Sequence, residues 1–161
     1  MLKNSLTTNY TLFSSFEEMP LNLQKLYNEA KNATKMAYAP YSTFLVGAAV
    51  ELENGNIVTG SNQENAAYPS GLCAERTALF HIGSTYKEEI KTIAVAAKLE
   101  KEIEFKNDIS PCGSCRQVMS EYEGKQNEDI AFLMPGKGNS FILLDSVNLL
   151  LPFSFDKSKL K

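Results

Sequence analysis

Phe44-Leu45-Val46-Gly47-Ala48-Ala49-Val50-Glu51-Leu52, then Asn54-Gly55, then Asn56-Ile57-Val58-Thr59-Gly60-Ser61, reads as a strand, a tight turn and a returning strand. Val46 to Val50 is apolar at successive positions, so the first strand is expected to be covered on both faces and central in its sheet. Asn54-Gly55 predicts a two-residue hairpin turn, because both residues tolerate positive φ. Upstream, Leu23, Leu26, Tyr27, Ala30, Ala33 and Ala37 recur at offsets of three, four and seven, which predicts one apolar helix face ended by Pro40. Downstream, Asn62 to Leu72 is loop-like, punctuated by Pro69 and Gly71. A helix is expected from about Cys73 to Gly83, a strand over Ile93–Ala97, and a helix over Cys112–Tyr122 entered at Pro111. Strands follow over Ile130–Met134 and Ser140–Leu144, then a short helix over Ser146–Leu151 stopped by Pro152. Helices interleaved with a hairpin-started sheet predict the α/β class, a three-layer α/β/α domain with a mixed sheet.

The composition bounds the function. A chain of 161 residues with 43% hydrophobic and 22% charged residues suits one globular domain. Its formal charge of −3 disfavours nucleic acid polymers, whose partners are usually basic. No apolar run approaches the roughly 20 residues a membrane helix needs, so no membrane partner is expected. Residues 1–20 are polar and mixed, without the apolar core of a signal peptide, and read as an N-terminal arm preceding a single domain over 21–161. A cytoplasmic location is expected.

The three cysteines fall in two motifs, Cys73-Ala74-Glu75 and Pro111-Cys112-Gly113-Ser114-Cys115. An odd number of thiols at ligand spacing argues against a disulfide framework. Cys112 and Cys115 share one face of a helical first turn, and the Cys73 helix start can converge on them. Three thiolate ligands leave a tetrahedral ion one open position, the pattern of catalytic rather than structural zinc. His81, the only histidine, lies roughly 12 Å down a helix from Cys73 and is read as structural or surface. Arg76 can donate to a cysteine sulfur and offset the thiolate charge, while Arg116 either does the same or is a solvated helix arginine.

These motifs, with Ala39-Pro40-Tyr41-Ser42, Val46-Gly47-Ala48-Ala49 and Asn62-Gln63-Glu64-Asn65-Ala66-Ala67-Tyr68-Pro69 in the same order, resemble the cytidine deaminase family from about Leu21 to Phe155. The resemblance implies a five-stranded mixed sheet, one Zn2+ per chain held by Cys73, Cys112 and Cys115, and hydrolytic deamination of cytidine and 2′-deoxycytidine in pyrimidine salvage. It implies that a zinc-activated hydroxide attacks C4 of cytosine while Glu75 shuttles protons, with Arg76 beside the ligands. For the small-molecule nucleoside it implies contacts from Phe44, Asn62, Glu64, Ala66, Tyr68, Ala74 and Phe155, in a homotetramer where Tyr68 and Phe155 reach a neighbour's pocket.

Plainer readings stand beside these. Phe44 is otherwise a strand core residue, and Asn62 otherwise an Asx turn at a strand end. Phe153 replaces the usual small residue, which leaves open whether Phe153 or Phe155 lines the site. Ser61 stands where many relatives carry Cys. A nucleoside-antibiotic deaminase would share the cysteine motifs but lack the Asn62–Asn65 loop. A non-catalytic zinc module would need a fourth protein ligand and no Glu75.

Overall fold

A computed structural model describes residues 1–160. Its centre is a six-stranded mixed sheet of order β1-β6-β5-β4-β2-β3. The strands are β1 (Thr11–Phe13), β2 (Phe44–Leu52), β3 (Ile57–Ser61), β4 (Ile90–Leu99), β5 (Ala131–Pro135) and β6 (Phe141–Leu144). Only β4 and β5 run parallel; the other neighbours are antiparallel. Helix α1 (Leu21–Ala33) covers one face, and α2 (Ala74–Thr85) with α3 (Gly113–Glu123) covers the other. The three layers follow from period-two alternation: Ala48, Val50, Ile93, Val95 and Phe132 face α2 and α3, while Ala49, Ala94, Ala96 and Leu133 face α1. β2 is an interior strand, one in from the β3 edge rather than at the centre, and its Gly47–Val50 stretch is buried, as its apolar run predicts.

The helices seat on the hairpin at glycines. A β-carbon on Gly47 would stand 2.1 Å from the Ala30 carbonyl oxygen of α1, and one on Gly60 would stand 2.5 Å from the Ala78 nitrogen of α2. Both helices therefore approach the strands backbone to backbone. The Gly60 contact fixes the first turns of α2, where Cys73 and Glu75 sit.

Four expectations need correction. The sheet has six strands rather than five, because Thr11–Phe13 pairs with Phe141–Leu143 along the β6 edge. The hairpin loop has three residues, with Leu52 bonded to Asn56 and positive φ at Gly55 alone. Asn54 instead uses its amide locally, accepting from Asn56 N at 2.9 Å and donating to Glu88 at 3.0 Å. α1 stops at Ala33 rather than Ala37 and tightens into a 3-10 turn over Thr34–Met36, where the Thr34 hydroxyl bonds the Lys31 carbonyl at 2.7 Å. The segment after β6 is a 3-10 turn, Val147–Leu150, capped by Ser146. No helix among the described residues is long and apolar enough to cross a membrane.

Candidate active site

Two helix starts meet at one point. Cys73 is the N-cap of α2 and Cys112 the N-cap of α3, both extended, and Cys115 lies in the first turn of α3. The Cys73 and Cys112 sulfurs are 3.8 Å apart, those of Cys112 and Cys115 3.5 Å, and all three lie within 4.8 Å of one another. Zinc–sulfur bonds of about 2.3 Å in a tetrahedron separate the sulfurs by roughly 3.8 Å, so this donor set fits one zinc ion. His81 is outside the cluster, exposed and edge-on to Tyr86 at 5.8 Å.

The thiols and their surroundings are electrostatically linked. The Cys73 thiol is brought down to about 5, first by the hydrogen bond from Cys115 and then by Arg76. Cys115, donating that bond, is pushed up. Both helix N-termini add positive potential that favours thiolate. Arg76 Nη2 lies 3.8 Å from Cys73 Sγ and 3.4 Å from the Gly71 carbonyl, as the sequence suggests. Its Nε is buried without a partner among the described residues. Arg116 takes the other course: Nε donates to the Pro111 carbonyl at 2.9 Å and Nη1 to that of Leu150 at 3.0 Å. It ties the cysteine turn to the C-terminal segment rather than reaching sulfur. Glu75 is only 4% exposed yet lines the adjoining cleft, and burial pushes its carboxyl above the usual range.

A residue without a sequence signal fixes the far end of α3. The buried Glu123 carboxylate accepts from Ile130 N at 2.8 Å, Val147 N at 3.1 Å and Ser146 Oγ at 2.8 Å, and also from Asn148 Nδ2. These partners lie around β5 and the 147–150 turn, so helix, sheet and C-terminal segment are locked together.

The cleft beside the cysteines has a volume of about 1060 Å³. Phe44, Asn62, Glu64, Ala66 and Tyr68 all line it, with Glu75 and Arg76. Asn62 also braces the strand, its Oδ1 accepting from Val46 N and its Nδ2 donating to the Phe44 carbonyl, both at 2.8 Å. That leaves one amide hydrogen for a ligand. Glu64 accepts from the Tyr41 and Ser42 amides at 2.9 and 3.3 Å, and the Ser42 and Tyr41 bonds hold its carboxyl below the usual range. Ile109 and Ser110, which carry no signal in the sequence, line the cleft from the connection into α3. Ala74, the first residue of α2, is fully buried. Phe155 does not line its own chain's cleft; it is 59% exposed, with its carbonyl held by Gln117 Nε2 at 2.8 Å. Phe153 is 95% exposed at φ 58°.

Comparison with known proteins agrees with this geometry. Residues 21–127 match the family model described as the cytidine and deoxycytidylate deaminase zinc-binding region. A cytidine deaminase of Sporosarcina psychrophila is 45% identical over 102 residues, which are 63% of this chain and 71% of that protein. The crystal structure of cytidine deaminase from Burkholderia pseudomallei superposes with TM-score 0.68 at 39% identity, covering 81% of this chain and 97% of that one. The Mycobacterium tuberculosis cytidine deaminase structure gives TM-score 0.65 at 31% identity, covering 84% and 98%.

Proposed function

This chain belongs to the cytidine and deoxycytidylate deaminase zinc-binding family, and from that premise we propose that it is a zinc-dependent cytidine deaminase. It hydrolyses the amino group of cytidine and 2′-deoxycytidine to give uridine, 2′-deoxyuridine and ammonia, a step of pyrimidine salvage. The observation that carries this reading is three thiols at tetrahedral spacing beside a buried carboxylate, at the wall of a cleft able to hold a nucleoside.

Cys73, Cys112 and Cys115 hold the ion, and zinc when bound acidifies water, supplying a nucleophile at neutral pH. Arg76 offsets part of the thiolate charge that would weaken this. Glu75 accepts the water's proton and passes it to N3 of the base, then takes the proton of the hydroxyl added at C4 and delivers it to the amine, which leaves as ammonia as the C4 carbonyl forms. Its raised affinity for protons and its burial suit a group that must both take and give. Phe44 offers a ring face to the pyrimidine. Asn62 and Glu64 receive ribose hydroxyls, Ala66 and Tyr68 complete the wall, and the Ala74 backbone meets the base.

Residues 1–20 form an arm on a single catalytic domain over 21–161. The protein works in the cytoplasm as a homotetramer. Phe155, exposed and carried on a segment pinned by Gln117 and Arg116, serves a neighbour's site.

The deciding experiment incubates purified protein with cytidine, follows uridine formation by ultraviolet absorbance, and assays zinc in the same sample. Turnover with about one zinc per chain is the expected result. Zinc at that level with neither cytidine nor deoxycytidine converted would overturn the substrate assignment.

A further inference from the structure

The three thiols come together only if two helix starts meet, and the two helices are placed by different means. α2, which brings Cys73, is seated on the hairpin at Gly60, where a β-carbon would stand 2.5 Å from the Ala78 nitrogen. α3, which brings Cys112 and Cys115, has no such seat: a β-carbon on its single glycine, Gly113, would meet nothing within 4 Å. The element lying closest along α3 is the 147–150 turn, with α2 next. Val147 and Leu150 of that turn share a buried apolar cluster with Cys115 and Met119 of α3.

Polar bonds fasten the chain after β6 to α3 at two levels. At the far end, Asn148 donates from Nδ2 to the buried Glu123 carboxylate and accepts at Oδ1 from Ser120 Oγ at 2.6 Å. About 10 Å nearer the helix start, at 1.5 Å per residue, Arg116 Nη1 donates to the Leu150 carbonyl at 3.0 Å. The same guanidinium sends Nε to the Pro111 carbonyl at 2.9 Å. Pro111 immediately precedes Cys112 and Arg116 immediately follows Cys115, so this side chain closes a ring around the ligand turn and ties the ring to Leu150. Because the guanidinium is a rigid planar fork, its two bonds fix the two carbonyls relative to each other. Arg76, by contrast, is directed at a cysteine sulfur.

We infer that Arg116 is a positioning residue for the metal ligands: through it the segment after β6, braced at Asn148, holds the Cys112–Cys115 turn against Cys73 and so sets how tightly the three thiolates grip zinc. The inference rests on the reading of the cysteines as a zinc site. Losing a partner that orients metal ligands costs about 10–100-fold in metal affinity. An arginine that served the fold alone would, when removed, lower the melting temperature and leave the grip on zinc as it was.

Chelator competition against the zinc-loaded protein separates the two roles. Arg116→Gln should weaken zinc binding at least about tenfold. In protein loaded with cobalt in place of zinc, the same change should shift the ligand-field bands, which report how the thiolates are arranged around the ion. Asn148→Ala, an exposed site bonded to no cysteine, should weaken zinc binding about threefold by loosening the brace. Melting curves at saturating zinc check that each variant is folded. The inference is overturned if Arg116→Gln binds zinc as tightly as the wild type, or if Asn148→Ala does. Where Arg116→Gln does not fold, Asn148→Ala decides alone. Zinc failing to bind the wild type would overturn the reading of the cysteines instead.

Discussion

Toward α2 and α3 the sheet meets two helix starts that carry thiols, a buried carboxylate and an open cleft; toward α1 it meets alanines, aromatic rings and an arm that closes its edge. On the first side polar atoms are held near one another by the backbone and by Glu123, Arg116 and Asn62. On the second, Phe13, Phe16 and Met19 simply fill space against Tyr27, Phe141 and Leu143. The contrast teaches that the α1 face contributes packing alone, whereas the α2/α3 face carries both a buried core and the site. Changes at the site residues lining the cleft should move turnover with modest effects on folding, and changes on the arm side should do the opposite.

Cys115→Ala is the harshest test, because the ligand it removes serves both. Zinc content should fall below one-tenth per chain with turnover lost, and thermal stability should fall as well, since metal binding is coupled to the folded state. Glu75→Gln probes the cysteine side alone: kcat should drop at least ~10²-fold while zinc content and melting temperature hold. Removing residues 1–19 probes the arm. One buried side chain, Met19, and two partly buried ones, Phe13 and Phe16, leave the core, so chemical denaturation should show a loss of about 3–5 kcal/mol, with kcat within about twofold of the full chain.

A fourth test uses pH. Burial pushes the Tyr27 phenol up to about 12, against about 10 in the unfolded chain. Its contribution is therefore complete below pH 10 and is lost as pH rises from 10 through 12, amounting to at most ~3 kcal/mol. Stability of the wild type relative to Tyr27→Phe should fall across that window; a constant difference would show that the phenol is not desolvated. Last, Phe153→Gly should raise stability by about 1 kcal/mol, because a bulky residue at φ 58° carries a strain that glycine does not. If Phe153 also touches a neighbouring subunit, the same change should weaken assembly, which sedimentation would register.

The legibility of the chain divides along the same line. The Cys73-Ala74-Glu75 and Pro111-Cys112-Gly113-Ser114-Cys115 motifs exposed the metal cluster because ligand chemistry restricts residue type and spacing together. β2 was readable because a short unbroken apolar run closed by a turn suits little besides a strand covered on both faces. β1 was not, since three residues carry no periodicity and depend on a distant partner, Thr11 pairing with Leu143 at the end of that short ladder, 132 positions on. Arg116 could be placed on its helix but not aimed, because its carbonyl partners come from the turn before α3 and from Leu150. Glu123 looked like any surface glutamate at a helix end, and only the folding of Ile130 and Val147 around it makes it a buried acceptor. Asn54-Gly55 marked the turn correctly and its loop length wrongly: the ladder closes at Leu52 and Asn56, and only Gly55 takes positive φ.

Gly47 and Gly60, where two helices rest on the hairpin, also say something about descent. Every amino acid one nucleotide away from glycine carries a β-carbon, and at both positions that carbon would fall on backbone atoms of a helix. No small first step is open at either codon. Sequence drift elsewhere in the chain can therefore be wide while the spacing between hairpin and helices is inherited almost unaltered, and with it the meeting point of the two helix starts.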